Sequence, residues 1–181
     1  KMDIITRSML KDCTLMFDED QSESIIHRDK DVNKFRFLVF KITWFAMEGN
    51  SMMLKRMGTT QKEALNYWWL AYTIEAVADY TKRIAKDLKN VQLPDKEKQV
   101  LIHLLQDAYN LYEQIIKSYY THNEELVHQL LNQRFSLLQQ CDDFHHRNKN
   151  IHTVGFLTYN LKSLIVTTHT ISRIVYEGMP G

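Results

Sequence analysis

Glycine and proline are scarce in this sequence, with only 5 glycines and 2 prolines among 181 residues. An all-β fold needs many turn residues, and a doubly wound α/β fold usually needs glycine at its strand-to-helix turns. The long segments are instead rich in leucine, lysine, glutamate, glutamine and methionine, which are good helix formers. We therefore expect an all-α fold of long helices joined by few connections.

The sequence also lacks an excess of charge, a set of paired cysteines and a long apolar run. With 23 basic and 22 acidic residues, the net charge of +1 supports no affinity of this chain for nucleic acid. Cys13 and Cys141 cannot form a disulfide framework, so we expect buried, reduced thiols in a cytoplasmic protein. The most apolar stretch, residues 35–47, is interrupted by Arg36 and Lys41, and we expect no membrane insertion.

The spacing of apolar residues predicts six helices, three on each side of a break at Pro94-Asp95. The predicted helices span residues 2–17, about 22–48, 60 to about 90, about 95–120, from near 121 or 123 to about 141, and about 154–176. Residues 52–57 are expected to be a loop or a short helical piece, and residues 142–150 the end of the fifth helix and a loop. Gly49-Asn50 is expected to end the second helix, and residues 178–181 the sixth.

Polar residues at three predicted helix starts match known capping patterns. Ser22 or Ser24 is expected to cap the second helix, and Asn123 the fifth. Thr60 followed by Glu63 resembles a capping box at the start of the third helix.

Short matches between the two halves of the chain indicate a repeat. Asn33-Lys34-Phe35 recurs as Gln133-Arg134-Phe135, and Arg83-Ile84 recurs as Arg173-Ile174, each pair on the corresponding predicted helix. We therefore predict two stacked three-helix bundles that share an apolar seam, residues 1–92 and residues 93–181, within one compact domain.

Glu75 and Asp79 are the leading candidates for a metal site. Their spacing puts both carboxylates on one helical face, where like charges are unfavourable unless something neutralises them. Iron, zinc or another divalent or trivalent cation would do so, because carboxylate oxygens are common metal ligands. Lys82 and Arg83 follow within a turn and offer a structural alternative, a salt-bridged acidic face.

Other clusters of potential ligands are less complete. Glu125 and His128 have the spacing used by di-iron bundles, which need a second such motif on another helix, and the nearest copy is Asp142 with His145. His145 and His146, with Asp142, Asp143 and His152 nearby in sequence, could hold a transition metal, but a flexible polar loop is the preferred interpretation of this stretch. The sequence contains no phosphate-binding glycine loop, nucleophile elbow or CxxC pair, so we expect no enzymatic activity.

Two segments resemble the PhoU family of phosphate-signalling regulators, and in particular its archaeal branch, in which a PhoU domain follows an AbrB-like DNA-binding domain. The first combines residues 5–12 with residues 27–38, HRDKDVNKFRFL, and is similar to the second-helix pattern of the family. The second is residues 74–85, IEAVADYTKRIA, which is similar to the third-helix pattern. Asn33 departs from the aspartate usual in the family, and Ile165 and His169 stand where the second half should repeat the two acids.

The resemblance implies a six-helix up-down repeat and a regulator of phosphate uptake or phosphate signalling. It implies a metal-binding role for Glu75 and Asp79, action through protein partners in phosphate transport or signalling, and a homodimer. Nucleic acid would be bound only through an upstream domain outside this sequence. The alternatives are a metal-binding helical-bundle enzyme of the di-iron type and a generic helical interaction module.

Overall fold

The computed structural model describes residues 1–48 and 51–178, and in these residues it contains seven helices and no strand. In chain order they are α1 (Met2–Cys13), α2 (Ser22–Met47), α3 (Ser51–Met57), α4 (Gln61–Asn90), α5 (Asp95–Thr121), α6 (Glu124–Arg147) and α7 (His152–Gly178). The all-α fold class predicted from glycine and proline scarcity is confirmed. The predicted ending at Gly49-Asn50 and residues 179–181 of the predicted final stop lie outside the described residues, whereas Gly178 of that stop is the last residue of α7.

Helix caps are confirmed at two of the three predicted starts. Thr60 accepts a hydrogen bond from the Glu63 backbone N–H, and the Glu63 carboxylate accepts one from the Thr60 N–H, which completes the capping box of α4. Asn123 caps α6 by accepting from the N–H of Leu126 at 2.9 Å. The prediction for Ser22 or Ser24 was wrong, because α2 begins at Ser22 and the Asp20 carboxylate accepts from its N–H.

Residues 51–57 form the short helix α3, which is one of the two forms expected for residues 52–57. α6 is longer than predicted and continues through the polar stretch to Arg147. Polar side chains do not end a helix by themselves when the backbone hydrogen bonds continue and one face stays buried. Phe144 provides that buried face with no exposed surface, and Asn148 closes the helix by donating to the Phe144 carbonyl oxygen.

All described helices except α3 pack around one continuous apolar core, and Leu54 of α3 forms a separate small cluster with Ala46 and Ala64. α1, α2 and α4 contact one another, as do α5, α6 and α7, while α4 packs along α7 and α1 along α5. One cluster of buried side chains includes members from all of these helices, among them the fully buried Val32, Leu101 and Leu161. The predicted boundary at residues 92 and 93 falls in the connection between α4 and α5, and the division into two bundles stays a prediction.

Both cysteines are buried and unpaired, as expected. Burial raises the pKa of each thiol to about 12. These thiols are therefore protonated packing groups, since the thiolate is the reactive form of cysteine.

Candidate functional site

The predicted site residues Glu75 and Asp79 lie where α4 packs against α2. The two helices run antiparallel, so the first half of α2 faces the second half of α4. Two charged side chains of α2 and four of α4 meet along this contact. We call this set the charged α2–α4 cluster, and its members are Asp29, Arg36, Glu75, Asp79, Lys82 and Arg83.

Asp79 is held by two cations of its own helix. Its Oδ1 lies 2.6 Å from the Lys82 Nζ, and its Oδ2 lies 2.6 Å from an Arg83 guanidinium nitrogen. Burial, the largest single influence, acts to raise the pKa of Asp79, but the hydrogen bonds and charges of Lys82 and Arg83 outweigh it and lower the pKa. The negative charge of Asp79 is therefore compensated by Lys82 and Arg83.

Lys82 also bridges to α2. Its Nζ lies 2.9 Å from Oδ2 of Asp29, a carboxylate with only 4% of its surface exposed. The Asn33 amide donates to the backbone oxygen of Asp29 at 3.0 Å and to its Oδ2 at 3.3 Å. The other oxygen, Oδ1, is buried without a protein hydrogen-bond partner among the described residues. Lys82 thus places a positive charge beside a buried aspartate at the contact between the two helices.

Among the three carboxylates of the cluster, Glu75 has the longest ion-pair distance. Its Oε2 lies 3.7 Å from the Arg36 Nε, which is an ion pair but beyond hydrogen-bond distance. Its pKa is raised, chiefly by burial and further by the negative charges of Asp79 and Asp29, while Arg36 acts against this shift. Ionised Glu75 is therefore less well stabilised in the fold than its neighbour Asp79.

The cluster as it stands does not fit a bound metal. Carboxylates are the right donors for a hard cation, but both oxygens of Asp79 already contact Lys82 and Arg83. Three carboxylates face three permanent cations, so a divalent ion would add uncompensated positive charge. Within residues 1–48 and 51–178 no three His, Cys, Asp or Glu side chains converge on a common metal position. Metal binding by Glu75 and Asp79 therefore requires that Lys82 and Arg83 leave Asp79, and it stays a prediction.

The alternative di-iron motifs lie on one helix. Glu125 and His128 begin α6, and Asp142 and His145 are near its end. Seventeen residues of helix separate the two motifs by about 25 Å at 1.5 Å per residue. Moreover, Asp142 pairs with Lys162 at 2.6 Å, and the His145 Nδ1 lies 3.4 Å from the Thr158 hydroxyl.

The corresponding position in the second half carries no carboxylate and lies near two arginines. His169, which matches Asp79 in the repeat, has a lowered pKa because of burial and the nearby charges of Arg134 and Arg173. Its Nδ1 lies 3.1 Å from the Ser172 hydroxyl. Ile165, which matches Glu75, is fully buried in the core. At positions 165 and 169 the second half therefore does not repeat the two α4 carboxylates of the charged α2–α4 cluster.

Asp29 and Arg36 were missed as site members by the sequence reasoning. A signal was present, since Asp29, Asn33 and Arg36 are spaced as one face of a helix and form a polar stripe on it. Their partners could not be chosen from spacing, however, because the pairing depends on the antiparallel register of α2 against α4.

None of the helices in residues 1–48 and 51–178 has the length and apolar character of a membrane span. Searches of curated proteins and of solved structures found no match to the chain. Residues 1–88 match the family model described as PhoU domain. This segment contains α1 to α3, most of α4 and every member of the charged α2–α4 cluster, so the match supports the PhoU family for the first half of the chain.

Proposed function

We propose that this chain is a PhoU-like regulator of phosphate uptake or phosphate signalling, which acts in the cytoplasm through contacts with protein partners and catalyses no reaction. The observation that carries the proposal is the PhoU domain match over residues 1–88. The contacts of Asp29 and Asp79 agree with it, because the Lys82 Nζ lies 2.9 Å from the first carboxylate and 2.6 Å from the second and occupies oxygens that a general acid or base would need free.

The di-iron enzyme is the weaker alternative. Such sites need ligands from several helices that point to one centre. The two candidate motifs share α6 and lie at its opposite ends, and Asp142 is engaged by Lys162. Stoichiometric iron with oxidase activity in the purified protein would favour the enzyme over the regulator. A generic helical interaction module remains the alternative if the partners have no connection with phosphate.

A pull-down with the tagged chain, from cells of its source grown with high or low phosphate, tests the regulator. The expected result is capture of phosphate-transport or phosphate-signalling proteins in amounts that depend on phosphate. A partner set that is the same in both media and unrelated to phosphate would contradict the proposal.

Metal binding at Glu75 and Asp79 is a separate part of the proposal with its own test. Metal analysis of the purified protein is followed by Glu75→Ala and Asp79→Ala. If iron, zinc or another ion occupies this site, both variants lose it. If both variants still contain the metal, then Glu75 and Asp79 are not its ligands.

The archaeal form of the family, with an AbrB-like domain ahead of the PhoU domain, is the finer proposal about the whole protein. DNA binding would then belong to that domain, since this chain has a net charge of only +1. The sequence of the gene upstream of Lys1 tests it directly.

A further inference from the structure

The contact between α6 and α7 has a register that two pairs of side chains define. Asp142 of α6 pairs with Lys162 of α7 at 2.6 Å, and the His145 Nδ1 lies 3.4 Å from the Thr158 hydroxyl. The residue number falls along α6 as it rises along α7, so the two helices are antiparallel. Positions farther along both helices can therefore be matched by counting helical turns.

Three turns beyond this last pair, Arg134 of α6 lies level with His169 of α7. Eleven residues of an α-helix complete three turns to within about 20°, so Arg134 shares a face of α6 with His145. In the same way, His169 shares a face of α7 with Thr158. The lowered pKa of His169 agrees with this register, because the charge of Arg134 contributes to the shift. Arg173 lies one turn beyond His169 on α7 and contributes as well.

These side chains form a positively charged group that spans two helices. We call Arg134, His169 and Arg173 the α6–α7 basic site. Neither arginine belongs to an ion pair in the part of the chain that the structure describes, and the Arg134 Nε is buried there without a hydrogen-bond partner. Among the same residues, no carboxylate contributes to the pKa of His169. Like charges one helical turn apart are unfavourable, so the site lacks a counter-ion.

A comparison with the charged α2–α4 cluster shows which group is absent. On α4 an Arg83 guanidinium nitrogen lies 2.6 Å from Oδ2 of Asp79, one turn earlier in the same helix. The matching positions of the repeat on α7 are Arg173 and His169. The second half thus has the arginine without its carboxylate, and an anion from solution would take the place of that carboxylate.

Ser172 determines which nitrogen of the neutral His169 ring carries the proton. The Ser172 hydroxyl donates to the His169 backbone oxygen and lies 3.1 Å from the His169 Nδ1. A hydroxyl has only one proton, so Nδ1 donates to the serine oxygen and Nε2 carries no proton in the neutral ring. Nε2 becomes a donor when His169 is protonated. The two arginines oppose that protonation, and a bound anion would favour it.

The donors of the basic site suit a phosphate group. A guanidinium group is always charged and presents its N–H groups in a planar fork that matches two phosphate oxygens. Donors from two helices suit a tetrahedral anion, because its oxygens point in more directions than those of a planar carboxylate. The Arg173 side chain is exposed, so an anion in solution can reach it.

We propose that Arg134, His169 and Arg173 bind a phosphate group between α6 and α7. This inference goes beyond the proposed function, because the site lies outside residues 1–88, which match the family model, and a regulator could act without it. Inorganic phosphate and the headgroup of an anionic lipid share this chemistry, and two binding experiments separate them.

Isothermal titration calorimetry with inorganic phosphate at constant ionic strength tests the site. The wild type is expected to show saturable binding, and Arg173→Gln is expected to weaken it by about tenfold or more, as for a lost hydrogen bond between charged groups. Lys149→Gln is the matched control, since Lys149 is also exposed and its replacement removes the same charge outside the site. Equal weakening by the two variants would mean that phosphate responds only to net charge, which would overturn the proposal.

Flotation with vesicles that contain phosphatidic acid separates a lipid headgroup from free phosphate. If the protein gives no heat with inorganic phosphate but binds these vesicles, and Arg173→Gln weakens that binding while Lys149→Gln does not, the phosphate group belongs to a lipid. Saturable binding of inorganic phosphate without flotation supports the free anion. A wild type that binds neither inorganic phosphate nor these vesicles would overturn the proposal.

The pH dependence of sulfate binding tests the part of His169, because sulfate, unlike phosphate, keeps its charge between about pH 5 and pH 8, where histidine titrates. Arg134 of α6 and Arg173 of α7 are the charged groups that act on His169, and no charged group of α4 or α5 does so among the described residues. Both arginines stay charged over this range. Sulfate binding is therefore expected to tighten as the pH falls through the pKa of His169, and to change much less in His169→Gln. The same pH dependence in both proteins would exclude His169 as a ligand and contradict the site as proposed.

Discussion

Among the residues of the charged α2–α4 cluster, Asp29 is the most buried carboxylate. Lys82 contacts both Asp29 on α2 and Asp79 on α4. Arg36 pairs with Glu75, and Arg83 is the second cation that contacts Asp79. The sequence was enough to predict that Glu75 and Asp79 share one helical face and that Lys82 and Arg83 follow within one turn. Asp29 and Arg36 were not, because they join the site only through the packing of α2 on α4.

Replacing Lys82 with alanine should leave the carboxylate of Asp29 buried without its cation. Breaking such a pair from one side is costly, and because Lys82 is partly exposed we expect the free energy of unfolding to fall by about 3 kcal/mol, the low end for a buried pair. Lys34→Ala is the matched control, because Lys34 pairs with Asp31 on the exposed face of α2 and should cost less than about 1 kcal/mol. Urea unfolding of both variants measures the difference, and equal losses would contradict the bridging role.

The raised pKa of Glu75 predicts a pH dependence of stability. Below its ordinary value of 4.5 the side chain is protonated in the folded and the unfolded protein. As the pH rises through the raised value, the unfolded state ionises more readily, so the wild type should lose stability relative to Glu75→Gln.

The pKa of Glu63 is lowered, so the pH dependence of stability that it causes should have the opposite sign from that of Glu75. Hydrogen bonds from the Thr60 backbone and hydroxyl, and from the Thr59 hydroxyl, lower its pKa. The wild type should therefore lose stability relative to Glu63→Gln as the pH falls through that lowered value. Denaturant titrations from pH 3 to pH 7 compare both variants with the wild type, and the same sign for both would contradict this electrostatic account.

At the scale of helices, sequence patterns located most elements and misplaced some ends. The capping box of α4 and the Asn123 cap of α6 were recognisable because each motif is local. The extension of α6 through residues 142–147 was missed because it depends on the burial of Phe144 against other helices. Local signals thus predicted helix starts better than helix ends.

Thr60→Ala should remove the side-chain acceptor for the Glu63 N–H at the start of α4. The expected loss in free energy of unfolding is about 1 kcal/mol, the usual cost of deleting a helix cap. Thr60→Ser keeps the hydroxyl and should retain most of the stability, as thermal or urea unfolding can show. A Thr60→Ser variant as unstable as Thr60→Ala would mean that the hydroxyl contributes little.

Across the whole molecule, the predicted halves share one core. α4 packs along α7, and Asn160 donates to the Asp87 carboxylate at 2.9 Å, which links the two helices. Glycine and proline scarcity and the break at Pro94 were enough to predict the fold class. The contacts between the halves could not be predicted, because they join residues about 70 positions or more apart in the chain.

A shared core predicts that damage to the second half destabilises the first. Leu161 on α7 is fully buried, and Leu161→Ala should cost about 2–5 kcal/mol. All 3 tryptophans lie before residue 70, so their fluorescence reports on the first half alone, while circular dichroism reports on all helices. Both signals should shift to the same lower midpoint. An unchanged fluorescence transition would mean that the halves unfold independently.

The central claim, that this chain regulates phosphate uptake or signalling, is tested most directly in cells of its source. Phosphate uptake would be measured at high and low external phosphate in cells with and without the gene, and in cells complemented with it. The account predicts that loss of the gene alters how uptake responds to external phosphate and that the gene restores the response. An identical response in all three strains would contradict it.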